Sequence, residues 1–308
     1  MEKSYRIIGD IHGRTNWREL IDFTNPDVIY IFLGDYTDPY YANEPDVTPE
    51  QMLEVIDELI TLKKMHPDNV ILLWGNHDMQ YIIGMGDTNR FSMKLYPTLH
   101  TKFIENEKWF HGIAYNIGEK YLISHAGVTK NWYCDLRGQK YTKGETTLKE
   151  VAQHINDIWE NNKDVFTFQK CCTKFSDYYG TSATHSPLWI RPSSLWEYNL
   201  FGFNSGIIQV VGHTISQPLK NIATAQRSWG KIGTLGTNYG RELSEEEISN
   251  GYWINDGEHV CKVAEDDPDK VDIILCDCLA TETACIEIDK ELNWRKITPE
   301  DIRQEDKQ

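Results

Sequence analysis

Short apolar runs recur along the first two-thirds of the chain, and each stops abruptly at glycine, aspartate, asparagine or histidine. YRII runs into GDIHG, VIYIFL into GDYTD, NVILLW into GNHD, KYLI into SHAG and GIIQVV into GHT. Their length and their β-branched and aromatic content predict buried strands, and the residues that end them suit loops. Between the second and third runs, TPEQMLEVIDELITLKKMH carries Met52, Leu53, Ile56, Leu59, Ile60 and Leu62 mainly three and four apart. That spacing predicts a helix, with Thr48 as N-cap, Pro49 in its first turn and Gln51 completing a capping box. Strands alternating with helices imply an α/β sandwich whose strand carboxyl ends converge on one edge. Five polar loops are then expected to face a common site.

From Lys130 to Ser205 the pattern changes to a Trp- and Tyr-rich stretch with one further predicted helix around LKEVAQHINDIWE. Its aromatics suit both a core and a wall beside a site. Beyond Thr214 the periodicity fades. KIGTLGTNYGRELSEEEISNGYWINDGEH reads as polar loop, DIILCDCLA and TACIEID as a closing pair of strands, and AEDDPDK as a solvated turn. The final ITPEDIRQEDKQ reads as a surface segment or frayed tail. With no repeat or clear linker, residues 1–308 read as a single domain carrying an insertion at about 130–205.

Composition narrows the function. A hydrophobic fraction of 40% and an aromatic fraction of 12% are globular values. The net charge of -16 argues against nucleic acid held by bulk electrostatics. An anionic substrate needs local positive charge, which bound metal ions supply. The cysteines at 134, 171, 172, 261, 276, 278 and 285 form no pair at zinc-finger spacing, so reduced, inert thiols in a cytosol are expected. No apolar stretch approaches the roughly 18 residues of a membrane span and no leader opens the chain, so a soluble cytoplasmic protein is expected.

The candidate chemistry lies where the five strands end: Asp10, His12, Asp35, Asp38, Asn76, His77, Asp78, His125 and His213. Each has an ordinary structural explanation singly; together they would require five coincidences. Imidazoles with carboxylates suit Zn, Mn or Fe, and the neutral Asn76 carbonyl adds an oxygen without further charge, giving a set fit for two cations. Gly9, Gly34, Gly75, Gly127 and Gly212 flank these residues, where positive φ or close backbone approach is expected.

In this order GDIHG, GDYTD, GNHD, SHAG and GHT resemble the calcineurin-like metallophosphoesterase superfamily. The nearer branch resembles the Ser/Thr protein phosphatases, with bacterial and phage enzymes and the symmetrical diadenosine tetraphosphate hydrolases. The matched span runs from Asp10 to about Thr214. The resemblance implies a metallophosphoesterase-type β-sandwich flanked by helices, in four layers α/β/β/α, with a dinuclear metal site at the strand ends. It implies one ion on Asp10, His12 and Asp35 and a second on Asp35, Asn76, His125 and His213. The ions are two divalent metals, manganese first, with iron and zinc as alternatives. Such a pair clamps an in-line displacement and generates a hydroxide near neutral pH. His77 is implied as the acid that protonates the leaving oxygen, with Asp38 orienting it and raising its pKa. Asp78 is implied as support for the ligand loops.

One departure stands out. Where the phosphatase branch reads GDxxDRG this chain reads GDYTDPY, so Pro39 occupies the place of a phosphate-binding arginine. Proline cannot imitate the planar fork of arginine on phosphate oxygens. Arg191 in SPLWIRP is the first candidate replacement, followed by Arg14 and Arg137, with Tyr40 and Tyr41 as candidate hydroxyl donors or stacking partners. His111 and His185 read as structural, and His66, His100, His154 and His259 have no motif around them. The expected activity is hydrolysis of a phosphate monoester in the manner of a Ser/Thr protein phosphatase, on a phosphoprotein, nucleotide or small phosphoester. Alternatives are a dinucleoside polyphosphate or other nucleotide hydrolase, and a non-catalytic binding module whose sign would be lost metal ligands. No membrane and no bulk nucleic-acid partner is expected.

Overall fold

The first apolar run forms β1 (Ser4–Ile8), in which the adjacent Ile7 and Ile8 are both fully buried. Burial of both strand faces is what a sheet covered on both sides requires. The computed structural model describes residues 3–40, 44, 46–84, 90–171, 182–218, 231–236, 252–254, 260–263 and 271–305. β2 (Val28–Phe32) is buried throughout. α1 (Pro49–Met65) starts with the Thr48 hydroxyl accepting from Gln51 N at 3.1 Å and leads into β3 (Val70–Leu72). α2 (Asn76–Ile83) and α3 (Tyr96–Asn106) follow, then β4 (Ala114–Ile117), β5 (Tyr121–Ser124), α4 (Leu148–Asn161), α5 (Phe168–Cys171) and α6 (Pro192–Glu197). The remaining strands are β6 (Ile208–Val211), β7 (Ser216–Pro218), β8 (Gly233–Gly236), β9 (Tyr252–Ile254), β10 (Val260–Val263), β11 (Val271–Leu275), β12 (Cys285–Ile288) and β13 (Trp294–Ile297), before α7 (Pro299–Glu305).

Two mixed sheets result, in the orders β13-β12-β1-β2-β3 and β4-β5-β6-β11-β8-β10-β9-β7. One core cluster joins Ile7, Ile29, Ile31 and Ile71 of the first sheet to Ile123, Ile208, Val210 and Ile274 of the second, so the sheets pack face to face. On the outer faces, Ile8, Tyr30 and Phe32 share a cluster with Val55, Ile56 and Leu59 of α1, and Leu122 with Val151, Ile155 and Trp159 of α4. The layers are α/β/β/α. Across the first sheet Glu287 on β12 pairs with Arg6 on β1 and Arg295 on β13, with Arg6 Nε donating to Glu287 Oε2 at 3.0 Å.

Three expectations beyond Thr214 are corrected. β11 and β12 do not pair with each other: β11 lies between β6 and β8, and β12 between β1 and β13. Each run closes a different sheet, because strand partners are chosen by long-range pairing that apolar content alone does not reveal. The stretch expected as loop contains β8 and β9, and the expected tail begins at the last residue of β13 and contains α7, whose start is held by Thr298 N donating to Asp301 Oδ2 at 2.7 Å. AEDDPDK lies outside the described residues. In the aromatic-rich stretch Trp132, Trp159, Phe166 and Trp189 are core residues. Cys134, Cys276, Cys278 and Cys285 form no disulfide. Among the described residues no helix is long and apolar enough to cross a membrane.

Candidate functional site

The parallel pairing of β1, β2 and β3, and of β5 and β6 in the facing sheet, sets five strand ends side by side. The residues that follow them meet. Asp10, Asp35 and His125 place their ligand atoms within 4.8 Å of one another. His12 Nε2 stands 3.5 Å from Asp35 Oδ2, and His125 Nε2 stands 3.6 Å from Asp35 Oδ1. Asn76 Oδ1 lies 2.8 Å from His125 Nε2 and 2.9 Å from His213 Nδ1. The His213 backbone N–H donates to Asp10 Oδ1 at 3.0 Å. All six side chains suggested by the sequence as ligands are therefore brought together around Asp35.

Hydrogen bonds from behind set which nitrogen faces inward. His12 Nδ1–H donates to the Thr37 carbonyl at 2.6 Å and His125 Nδ1–H to the Leu33 carbonyl at 2.9 Å, which turns both Nε2 lone pairs into the site. Burial, with the Arg90 charge next, pulls His12 well below the ordinary imidazole value, and burial pulls His125 to about 3. Both rings are neutral. The His125 lone pair then faces another acceptor, Asn76 Oδ1. Burial pushes the Asp10 and Asp35 carboxyls well above the carboxylate range; Asp277 adds most among the charges beside Asp10, and Asp78 among those beside Asp35. Crowded carboxylates, neutral imidazoles and facing lone pairs are all relieved by divalent cations, so this donor set fits them.

The backbone is shaped for this convergence. His12, Asp35, Asp38 and His213 have φ of 45, 52, 56 and 63°, which places them among the few described residues other than glycine with positive φ. Such conformations persist only where surrounding contacts hold them. Gly75 has an ordinary φ of -101°, yet a Cβ there would lie 2.2 Å from Asp35 N and Asp35 Oδ1. Close approach, not a left-handed turn, requires that glycine.

Asp78 ties the loops after β2 and β3. Its Oδ1 accepts from Tyr36 N at 2.8 Å and from Thr37 N and Oγ1 at 3.2 Å, and its Oδ2 accepts from Gly75 N at 3.1 Å. Burial raises its carboxyl to about 7. His77 lies in the first turn of α2; its backbone N–H donates to Asp35 Oδ1 at 2.9 Å and its Nδ1–H to Asp38 Oδ2 at 2.8 Å. The net direction of the imidazole pKa is nevertheless downward. Burial, followed by the charges of Arg90 and Arg191, holds His77 well below its ordinary value.

The candidate substrate-binding residues divide. Arg14 is buried with its fork taken by Glu44 at 2.6 and 2.9 Å and a further N–H donated to the Asp10 carbonyl at 3.2 Å, so it braces the first loop. Arg191 reaches the last loop, donating from Nη1 to Thr214 Oγ1 at 3.1 Å. The Tyr40 ring stands edge-on to His12 with centroids 5.4 Å apart, and burial raises its hydroxyl to about 12. Tyr41 lies outside the described residues, and no described contact joins Arg137 to the site. His185 is buried against Phe168 with ring centroids 4.6 Å apart.

Two residues at the site escaped the sequence reading. Arg90 Nη2 donates to His77 Nε2 at 2.9 Å, Nη1 donates to the Asp38 carbonyl, and the guanidinium carbon lies 3.5 Å from the Tyr40 ring centroid. It belongs to no motif; its one signal is that it is the first basic residue after His77. Asp277 is buried with Oδ1 lacking a hydrogen bond, and burial raises it to about 6. In sequence it stands between Cys276 and Cys278, outside the five strand-end motifs.

Against known proteins, the family model described as calcineurin-like phosphoesterase matches residues 5–217. The serine/threonine-protein phosphatase PP2A-like PPG1 of Candida albicans is 31% identical over 87 residues, 27% of this chain and 18% of that protein. The chain thus spans under a fifth of the length of that curated relative. A solved protein serine/threonine phosphatase from Saccharomyces cerevisiae, with similarity to human phosphatase PP5, is 16% identical, with 86% of this chain and 82% of that one covered at a TM-score of 0.38.

Proposed function

The chain belongs to the calcineurin-like phosphoesterase family, and from that premise we propose that it is a metal-dependent phosphomonoesterase of the Ser/Thr protein phosphatase type. The observation that carries this reading is the convergence of Asp10, His12, Asp35, Asn76, His125 and His213 on one point, with the His77–Asp38 pair beside it. Asp10, His12 and Asp35 would hold one divalent ion and Asp35, Asn76, His125 and His213 a second, manganese being the favoured metal. Bound there, the ions supply an acidified water and charge neutralisation for in-line displacement at phosphorus.

The chain's own residues do the rest. Asp38 fixes the His77 tautomer through Nδ1, which leaves Nε2 as the nitrogen that faces a leaving oxygen. Burial and the Arg90 and Arg191 charges keep the ring neutral beforehand, so it would take up a proton at Nε2 only with the phosphate anion beside it, and it then gives that proton to the departing alkoxide while Asp38 stabilises the charged ring. Asp78 keeps the loops bearing Asp35 and Asn76 in register, and Arg191 and Tyr40 line the substrate side. Residues 1–308 act as a single domain, and free thiols at the four described cysteines accord with a reducing cytoplasm.

The test is a substrate panel with purified, manganese-supplemented protein: aryl phosphate monoester, diester, phosphopeptide and dinucleoside polyphosphate. Monoester and phosphopeptide turnover is expected, with Asp35→Asn abolishing it. His77→Asn should lower kcat by roughly 10²–10⁴ on alkyl phosphates. Preference for the dinucleotide, or full activity in His77→Asn, overturns the reading.

A further inference from the structure

Arg90 is half-buried at the rim of the site, and among the described residues it has no carboxylate partner. A half-buried guanidinium without an anion leaves most of its five N–H donors under-used. Its three contacts are weak substitutes: a backbone carbonyl, an imidazole nitrogen and an aromatic face. His12, His77 and Tyr40 stand around it, with the His12 and His77 ring centroids 5.2 Å apart. The guanidinium therefore stands beside the candidate acid His77 and next to the candidate ligand His12, in a partly exposed position. Of the other candidate arginines, Arg14 has its fork taken by Glu44, while Arg191 is anchored through Nη1 on the turn at His213 and Thr214 after β6, whereas Pro39 lies in the loop after β2.

Its bond to His77 has a second consequence. With Nδ1–H given to Asp38, Nε2 is the only nitrogen His77 can turn toward a substrate, and Arg90 Nη2 covers it at 2.9 Å. A phosphoryl group arriving beside His77 offers the guanidinium a better partner than a neutral imidazole, since it adds the opposite charge and two oxygens for the planar fork.

We propose that Arg90 is the substrate-phosphate arginine of this protein, held on His77 and Tyr40 before substrate binds and transferred to the phosphoryl oxygens on binding, which uncovers His77 Nε2. It fills from another segment the chemistry that Pro39 cannot supply. The inference rests on the phosphomonoesterase reading.

The experiment uses full-length, manganese-loaded protein and inorganic phosphate as the probe, by calorimetry and as a competitive inhibitor of aryl phosphate hydrolysis. Arg90→Ala is expected to weaken phosphate binding and raise KM by about 10–100-fold, with manganese stoichiometry unchanged. Arg90→Lys keeps the charge without the fork and should fall between. Arg90→Lys and Arg90→Gln decide the matter if the alanine variant does not fold. Phosphate affinity within twofold of wild type in the folded variants overturns the inference. Wild-type protein that binds phosphate through Arg90 yet hydrolyses no monoester would instead sink the activity and leave the arginine assignment standing.

Discussion

Replacing Gly75 by alanine isolates how the site depends on close approach. Gly75 has φ -101° and ψ 170°, which alanine adopts without strain. The added Cβ, however, would sit 2.2 Å from both Asp35 N and Asp35 Oδ1 and 2.9 Å from Asp35 Cα. A Cβ essentially never approaches closer than 3.0 Å, so the two loops must part by about 0.8 Å. They have little room to do so. Asp35 Oδ1 is held by His77 N, and the next residue, Tyr36, is held by Asp78, which also binds Gly75 itself. Overpacking of this kind costs roughly 1–3 kcal/mol, and the poorer N-cap on α2 adds about 1 kcal/mol. For a domain of this size that is a fall in melting temperature of roughly 3–6 °C. Displacing the shared carboxylate should also weaken manganese binding by about 10–100-fold. Calorimetric manganese titration and thermal melting measure the two effects separately. Gly138→Ala is the control: φ is +66° and nothing lies within 4 Å, so it should cost about 1 kcal/mol of backbone strain and leave metal affinity alone. A Gly75→Ala protein that binds manganese like wild type and melts with it would refute the reasoning.

Other outcomes follow from the same contacts. In metal-free protein Asp78 and Asp277 titrate at about 7 and about 6, above the ~3.9 of an unfolded aspartate. The folded chain holds these extra protons, so the two carboxyls contribute stability that is lost as pH rises from about 4 to about 7, while the depressed imidazoles of His12, His77 and His125 act in the opposite sense. The carboxyl contribution is isolated by melting wild type and Asp277→Asn in chelator: the stability difference between them should shift toward the variant as pH rises from about 4 to about 6, and a difference independent of pH contradicts it. Glu287→Ala strands the buried Arg6 charge and should destabilise by about 3 kcal/mol in urea titrations while sparing phosphate hydrolysis. Thr147→Ala removes a capping box in which Thr147 Oγ1 accepts from Glu150 N at 3.2 Å, and should cost about 1 kcal/mol by the same measurement.

What the sequence by itself determined is local. Strand runs, the periodicity and cap of α1 and the helix around residues 148–161 are encoded within a few residues, so they are legible without a fold. So are the six candidate ligands, because each must stand at a strand end and the short apolar runs mark those ends. Tertiary structure decided what depends on partners far apart in the chain. β11 and β12 went to different sheets because pairing is chosen across the whole barrier of long-range contacts, and apolar content does not name the partner. Arg14 became a brace because Glu44, 30 residues away, reached its fork first. Burial, which no local pattern quantifies, set His77 below rather than above its ordinary pKa. Arg90 reached His77 because the chain returns after α2, which puts a cation where the motif carries proline.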